Sequence, residues 1–124
     1  MERKRILLAD DEDDIREIAS ATLEVTADWE VITANCGKAA LEMAREIDVD
    51  AILLDVMMPD MDGLTTFTHL RAETRTQHTP VILLTAKVQT ADRQRYTQIG
   101  VSGVIAKPFD PMSLAEKIAE ILSW

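Results

Sequence analysis

The sequence predicts an α/β domain: a five-stranded parallel sheet, doubly wound, with five helices covering both faces. Three observations predict it. Five short apolar runs each precede a stretch with helical spacing, and repeated strand–helix pairs build parallel sheets. Two of those runs, Ile52-Leu53-Leu54 and Val81-Ile82-Leu83-Leu84, are continuously apolar, as strands covered on both faces must be. Finally, 124 residues suit one such domain, and 47% apolar residues suffice to bury its core.

Residues 6–9 (Ile-Leu-Leu-Ala) form the first expected strand, broken by the acidic run at 10–14. From Ile15 the positions Ile15, Ile18, Ala19, Thr22 and Leu23 fall at helical spacing. Residues 29–34 make a second strand, followed by a helix carrying Ala40, Leu41 and Ala44. The third strand, 51–54, ends at Asp55. Pro59 and the Asp62-Gly63 pair break residues 57–63 into a loop before a helix over about 64–72. Residues 80–84 supply the fourth strand, 90–99 a helix stopped by Gly100, and 103–106 the fifth strand. Asp110 as N-cap and Pro111 at the first position start a last helix that presents Leu114, Ile118, Ile121 and Leu122 on one side. No linker, repeat or low-complexity tract interrupts the series, so residues 1–124 read as one domain.

Thirteen basic against 22 acidic residues leave a net charge of −9. That balance argues against direct nucleic-acid binding, which needs a basic face. Cys36 is the only cysteine and has no internal disulfide partner, as suits a reducing compartment. The basic start Met1-Glu2-Arg3-Lys4-Arg5 precedes an apolar run too short for a signal peptide. No run approaches the roughly 20 apolar residues of a membrane span. A cytoplasmic protein without membrane insertion is the expectation.

Functional groups of open parallel sheets gather beyond the carboxyl ends of the strands. Those ends carry Asp10-Asp11, Asp55, Thr85 and Lys107. Three converging carboxylates repel one another and require a cation. Mg²⁺ suits the oxygen donors, because it typically takes one or two carboxylates together with waters and a phosphate. With charge neutralised, the anionic Asp55 carboxylate can attack an anionic phosphorus. Lys107 adds a positive charge and Thr85 a hydrogen-bond donor for the transferred oxygens. Taken singly, each group has a plainer reading: a turn or helix cap for the acidic run, a turn residue for Thr85 and a solvated charge for Lys107. All of them at the ends of their respective strands is a far rarer coincidence.

Four stretches carry a resemblance over essentially the whole chain: Ile6-Leu7-Leu8-Ala9-Asp10-Asp11-Glu12, Leu54-Asp55-Val56-Met57-Met58-Pro59-Asp60-Met61-Asp62-Gly63, Leu84-Thr85-Ala86 and Lys107-Pro108-Phe109. The sequence resembles the receiver domains of two-component response regulators, in size and layout the single-domain chemotaxis type. The resemblance implies a flavodoxin-like sheet of strand order 2-1-3-4-5. It implies that Asp55 is the phospho-acceptor, that Asp11 ligates Mg²⁺ directly and Asp10 through water, and that Met57 contributes its backbone carbonyl. Thr85 and Lys107 would bind the phosphoryl group, with the Lys107–Pro108 bond cis. The donor would be a phosphohistidine on a sensor histidine kinase or histidine phosphotransfer protein. The domain would be a switch that catalyses only its own phosphorylation and dephosphorylation. Its output would pass through the face of helix 4, strand 5 and helix 5, to a partner, an output domain or a second copy in a homodimer.

At two points the sequence departs from that family or tunes it. The aromatic residue usual three places before the Lys is here Val104, so Tyr96 on the fourth helix is the nearest ring, with packing its expected role. Met57 and Lys87 occupy positions that tune hydrolysis, and a Met57 without a water-orienting donor implies a long-lived phosphoryl state. His69 and His78 are expected at the surface, Met58 and Met61 in packing, and Cys36 as a partly buried thiol.

An Asp-nucleophile phosphohydrolase of similar architecture is the alternative reading. It typically places a second Asp two residues after the first as general acid, where this chain has Met57. A nucleotide- or flavin-binding module would instead need a Gly-rich loop where Asp10-Asp11-Glu12 stands.

Overall fold

The computed structural model describes residues 3–86 and 89–124. Its elements follow the expected alternation: β1 (Arg5–Ala9), α1 (Asp13–Ala27), β2 (Glu30–Ala34), α2 (Gly37–Glu46), β3 (Ala51–Asp55), α3 (Gly63–Ala72), β4 (Val81–Thr85), α4 (Thr90–Ile99), β5 (Gly103–Ala106) and α5 (Leu114–Leu122). The strands pair in parallel in the order β2-β1-β3-β4-β5. Because successive side chains of a strand point to opposite faces, the core divides in two. Leu7, Ala9, Ile52, Leu54, Val81 and Leu83 pack under α2, α3 and α4. Ile6, Leu8, Ala51, Leu53, Ile82 and Leu84 pack under α1 and α5. Both faces of β3 and β4 are wholly buried, as their uninterrupted apolar runs require.

Strand ends shift by a residue or so for local reasons. Arg5 joins β1 because it pairs in register with Glu30 and its guanidinium meets the Glu30 carboxylate at 2.8 Å. Trp29 stays outside β2 and stacks edge-on with Trp124, ring centroids 5.3 Å apart. Pro80 has no N–H for the ladder, so β4 begins at Val81, while the Pro80 carbonyl still accepts from Ile52. The Asp110–Pro111 start signal opens a turn of 3-10 helix at Pro111–Ser113 instead of α5 itself, with Asp110 Oδ1 accepting from the Met112 N–H at 3.0 Å. Gly100 ends α4 as expected, at φ 104°, a conformation open to glycine and costly for other residues. Among the described residues no helix is long and apolar enough to cross a membrane.

Candidate functional site

Strand parity decides what meets at the carboxyl edge. Continuing β1 past Leu8 puts Asp10 on the α1/α5 side of the sheet. Continuing β3 past Leu53 does the same for Asp55, and β5 past Ile105 for Lys107. The three side chains are therefore delivered to one side of one edge by the same alternation that buries the core. Asp10, Asp11 and Asp55 each bring a carboxylate oxygen within 4.8 Å of the others. Lys107 Nζ lies 2.9 Å from Asp10 Oδ2, 3.4 Å from Asp55 Oδ1 and 3.9 Å from Glu12 Oε2. The Lys107–Pro108 peptide bond is cis.

Asp10 is fully buried and held at every polar group. Its N–H donates to the Ala34 carbonyl at 3.1 Å, and its Oδ1 accepts from the Glu12 N–H at 2.9 Å. Its Oδ2 accepts from Lys107, and its own carbonyl accepts from Arg16 Nη1 at 2.8 Å. Asp55 is 3% exposed, and its Oδ1 accepts from the Met57 N–H at 3.4 Å. Burial first, then the charge of Asp10, pushes the Asp55 carboxyl up to about 6, with Lys107 opposing both. Burial by itself lowers the Lys107 pKa, but hydrogen bonding and charge from Asp10, then the charges of Asp55 and Glu12, outweigh it and hold the ammonium above its usual value. The ammonium is thus the counter-charge that lets two buried carboxylates sit side by side.

The loop after β3 is shaped to keep Asp55 in place. Gly63 opens α3 against the strand end: its N–H donates to the Val56 carbonyl, and a Cβ there would collide with the Asp55 carbonyl oxygen and lie 2.9 Å from Val56 Cα. Asp62 caps the helix, accepting from the Thr65 N–H at 2.8 Å, and Asp60 takes a left-handed φ of 67° that Asp tolerates.

Asp55, Asp11, Glu12, Ile15, Met57 and Lys107 line a cleft of about 430 Å³. Met57 stands 69% exposed at its rim. Thr85 is placed differently: it is buried at the end of β4, its carbonyl accepts from the Lys107 N–H at 2.9 Å, and by strand parity it belongs with Val81 and Leu83. It stands beside the cleft without lining it. Lys87 lies outside the described residues. His69 and His78 are exposed, Met58 and Met61 pack in the α2–α4 side of the core, and Cys36 caps α2 by accepting from the Ala39 N–H. Sequence reading missed Arg16, whose only signal was a lone cation just after five consecutive acids, and it placed Gly63 only as a loop breaker, since its contact with Asp55 appears only once α3 is folded back.

Three hard oxygen donors and no sulfur or imidazole make this cluster able to hold a hard divalent ion. A family model described as a response regulator receiver domain matches residues 6–119. Transcriptional regulatory protein SrrA of Staphylococcus aureus is 38% identical over 117 residues, covering 94% of this chain and 47% of SrrA. The chain therefore spans about half the length of the curated relatives it matches. Chemotaxis response regulator CheY4 of Vibrio cholerae superposes with a TM-score of 0.90 at 32% identity, covering 97% of this chain and 99% of CheY4. The receiver domain of sensor histidine kinase PA1611 from Pseudomonas aeruginosa PAO1, with a magnesium ion coordinated in its active site cleft, gives 0.86 at 28% identity, covering 99% and 100%.

Proposed function

The chain belongs to the response regulator receiver domain family of two-component systems, and from that premise we propose that Asp55 accepts a phosphoryl group from a phosphohistidine in a Mg²⁺-dependent reaction. One observation carries the proposal: Asp55 is buried within 4.8 Å of two further carboxylates and 3.4 Å from an ammonium. Asp11, Asp55 and the Met57 carbonyl would ligate Mg²⁺ directly, with Asp10 reaching it through water. The ion supplies neutralisation of the charge that builds on the phosphoryl oxygens.

The residues divide the remaining work. Asp55, with its pKa near 6, is ionised at neutral pH and can act as nucleophile. Its oxygen forms the new bond to phosphorus while the phosphorus–nitrogen bond breaks, the electron pair returning to the imidazole of the donor. Lys107, 3.4 Å from the attacking carboxylate, pairs with a transferred oxygen. Thr85 donates a hydrogen bond to another on moving toward the cleft. Reversal is hydrolytic: water attacks phosphorus and the Asp55 carboxylate leaves. Met57 has no donor to orient that water, which favours a long-lived phosphoryl state.

Residues 1–124 act in this reading as one receiver domain in the cytoplasm, phosphorylated by a sensor histidine kinase or histidine phosphotransfer protein. Its signal leaves through α4, β5 and α5 to a protein partner, an output domain or a second copy. The test is intact mass after incubation with acetyl phosphate. A phosphate-sized gain is expected with Mg²⁺ and not with a chelator, and it is absent in Asp55→Asn. A gain retained in Asp55→Asn, or none in the wild type, overturns the proposal.

A further inference from the structure

We infer that Arg16 is a positioning residue for the metal, acting through the peptide unit that joins Asp10 to Asp11; the inference rests on the Mg²⁺ reading of the site. The Arg16 guanidinium leaves α1 and reaches back over the β1–α1 loop. Its Nη1 donates to the Asp10 carbonyl at 2.8 Å, and its Nη2 pairs with Asp13 Oδ1. The side chain is 18% exposed while Asp13 is 86% exposed, so the buried end of this contact is the one at the loop backbone.

The geometry points to a role beyond tying down a loop. Among the described residues no hydrogen bond or ion pair holds the exposed Asp11 carboxylate, so what the fold fixes of this ligand is its backbone. That backbone begins at the peptide plane whose carbonyl Arg16 clamps and whose preceding residue, Asp10, is fixed by Ala34, Glu12 and Lys107. Holding a ligand's own support is how groups outside the coordination sphere set metal affinity. A guanidinium does this better than an ammonium, because its planar fork engages the carbonyl and the carboxylate at fixed angles.

Charge and position predict opposite signs here. Removing a cation from an acidic edge strengthens the attraction for Mg²⁺ by simple electrostatics. Removing a clamp weakens it. The experiment is calorimetric titration of Mg²⁺ into wild type, Arg16→Gln and Arg16→Lys, with thermal midpoints of the metal-free proteins alongside. Arg16→Gln is expected to bind Mg²⁺ about tenfold more weakly despite its extra net negative charge. Arg16→Lys, with the charge kept and the fork lost, is expected to fall between. Equal or tighter binding by Arg16→Gln overturns the inference whatever happens to its midpoint. If Arg16→Gln does not fold, Arg16→Lys decides: binding equal to wild type overturns the inference, weaker binding supports it. Wild type that binds no Mg²⁺ defeats the metal reading itself, whereas wild-type binding with an indifferent Arg16→Gln defeats only the inference.

Discussion

Asp10 and α4 lie at opposite extremes of restraint. Asp10 has its N–H, its carbonyl and both carboxylate oxygens bonded to four different residues. Of the described side chains of α4, only Tyr96 is buried, and the N-cap Gln89 makes no side-chain cap bond. Apart from Tyr96, residues 91–99 are mostly polar and face water. By contrast α1 and α5 each bury two side chains under the sheet. Fixed dipoles and charges lower the cost of reorganisation at a reacting centre, so the rigid edge suits chemistry. An element with little buried apolar surface opens at low free energy, so α4 suits movement. Tyr96 is the aromatic contact between α4 and the core cluster of Phe67, Val81, Leu83 and Val101.

The largest expected effect breaks the comparison on its loose side. Tyr96→Ala removes the one buried anchor and should cost ~3–5 kcal/mol in denaturant unfolding. Amide exchange should lose its protection through α4 while Mg²⁺ affinity stays that of wild type; a parallel loss of affinity would mean the two regions are one unit.

Asp55→Asn probes the tight side and carries the opposite sign. A carboxyl raised from 3.8 to about 6 binds its proton more tightly folded than unfolded, so the charged Asp55 lowers stability as pH rises through that window. The Asn variant should be more stable by ~1–3 kcal/mol above pH 6, with the advantage fading toward pH 4. Thermal midpoints across that range check it, and a variant less stable at pH 7.5 would contradict it.

The smallest effect concerns the loop joining Asp55 to α3. Asp62→Ala should cost ~1 kcal/mol through the lost cap to Thr65. That N–H holds the Asp62 carboxyl below its ordinary value. The contribution is therefore present above the usual carboxylate range and lost as pH falls through the depressed value, so the two unfolding curves should converge in acid.

Much of this was legible in the residues. Apolar runs placed every strand, and the acids and the lysine after them marked the edge, because side-chain parity follows from position in a strand; the strand order followed only from the family resemblance. Thr85 was legible as a strand end but not as a residue set beside the cleft, since that depends on which face its parity selects. The 3-10 turn at Pro111–Ser113 was hidden because Asp–Pro starts either kind of helix. Two contacts were hidden for a different reason: Gly63 meets Asp55 only once α3 folds back on the strand end, and no periodicity encodes the long Arg16 side chain reaching the Asp10 carbonyl.

Borohydride reduces an aspartyl phosphate and leaves free carboxylates intact, so peptide mapping after acetyl phosphate and Mg²⁺ reads the acceptor directly. Conversion confined to Asp55, and lost with a chelator, is the predicted result. Conversion at Asp10, Asp11, Asp60 or Asp62 with Asp55 untouched would contradict it.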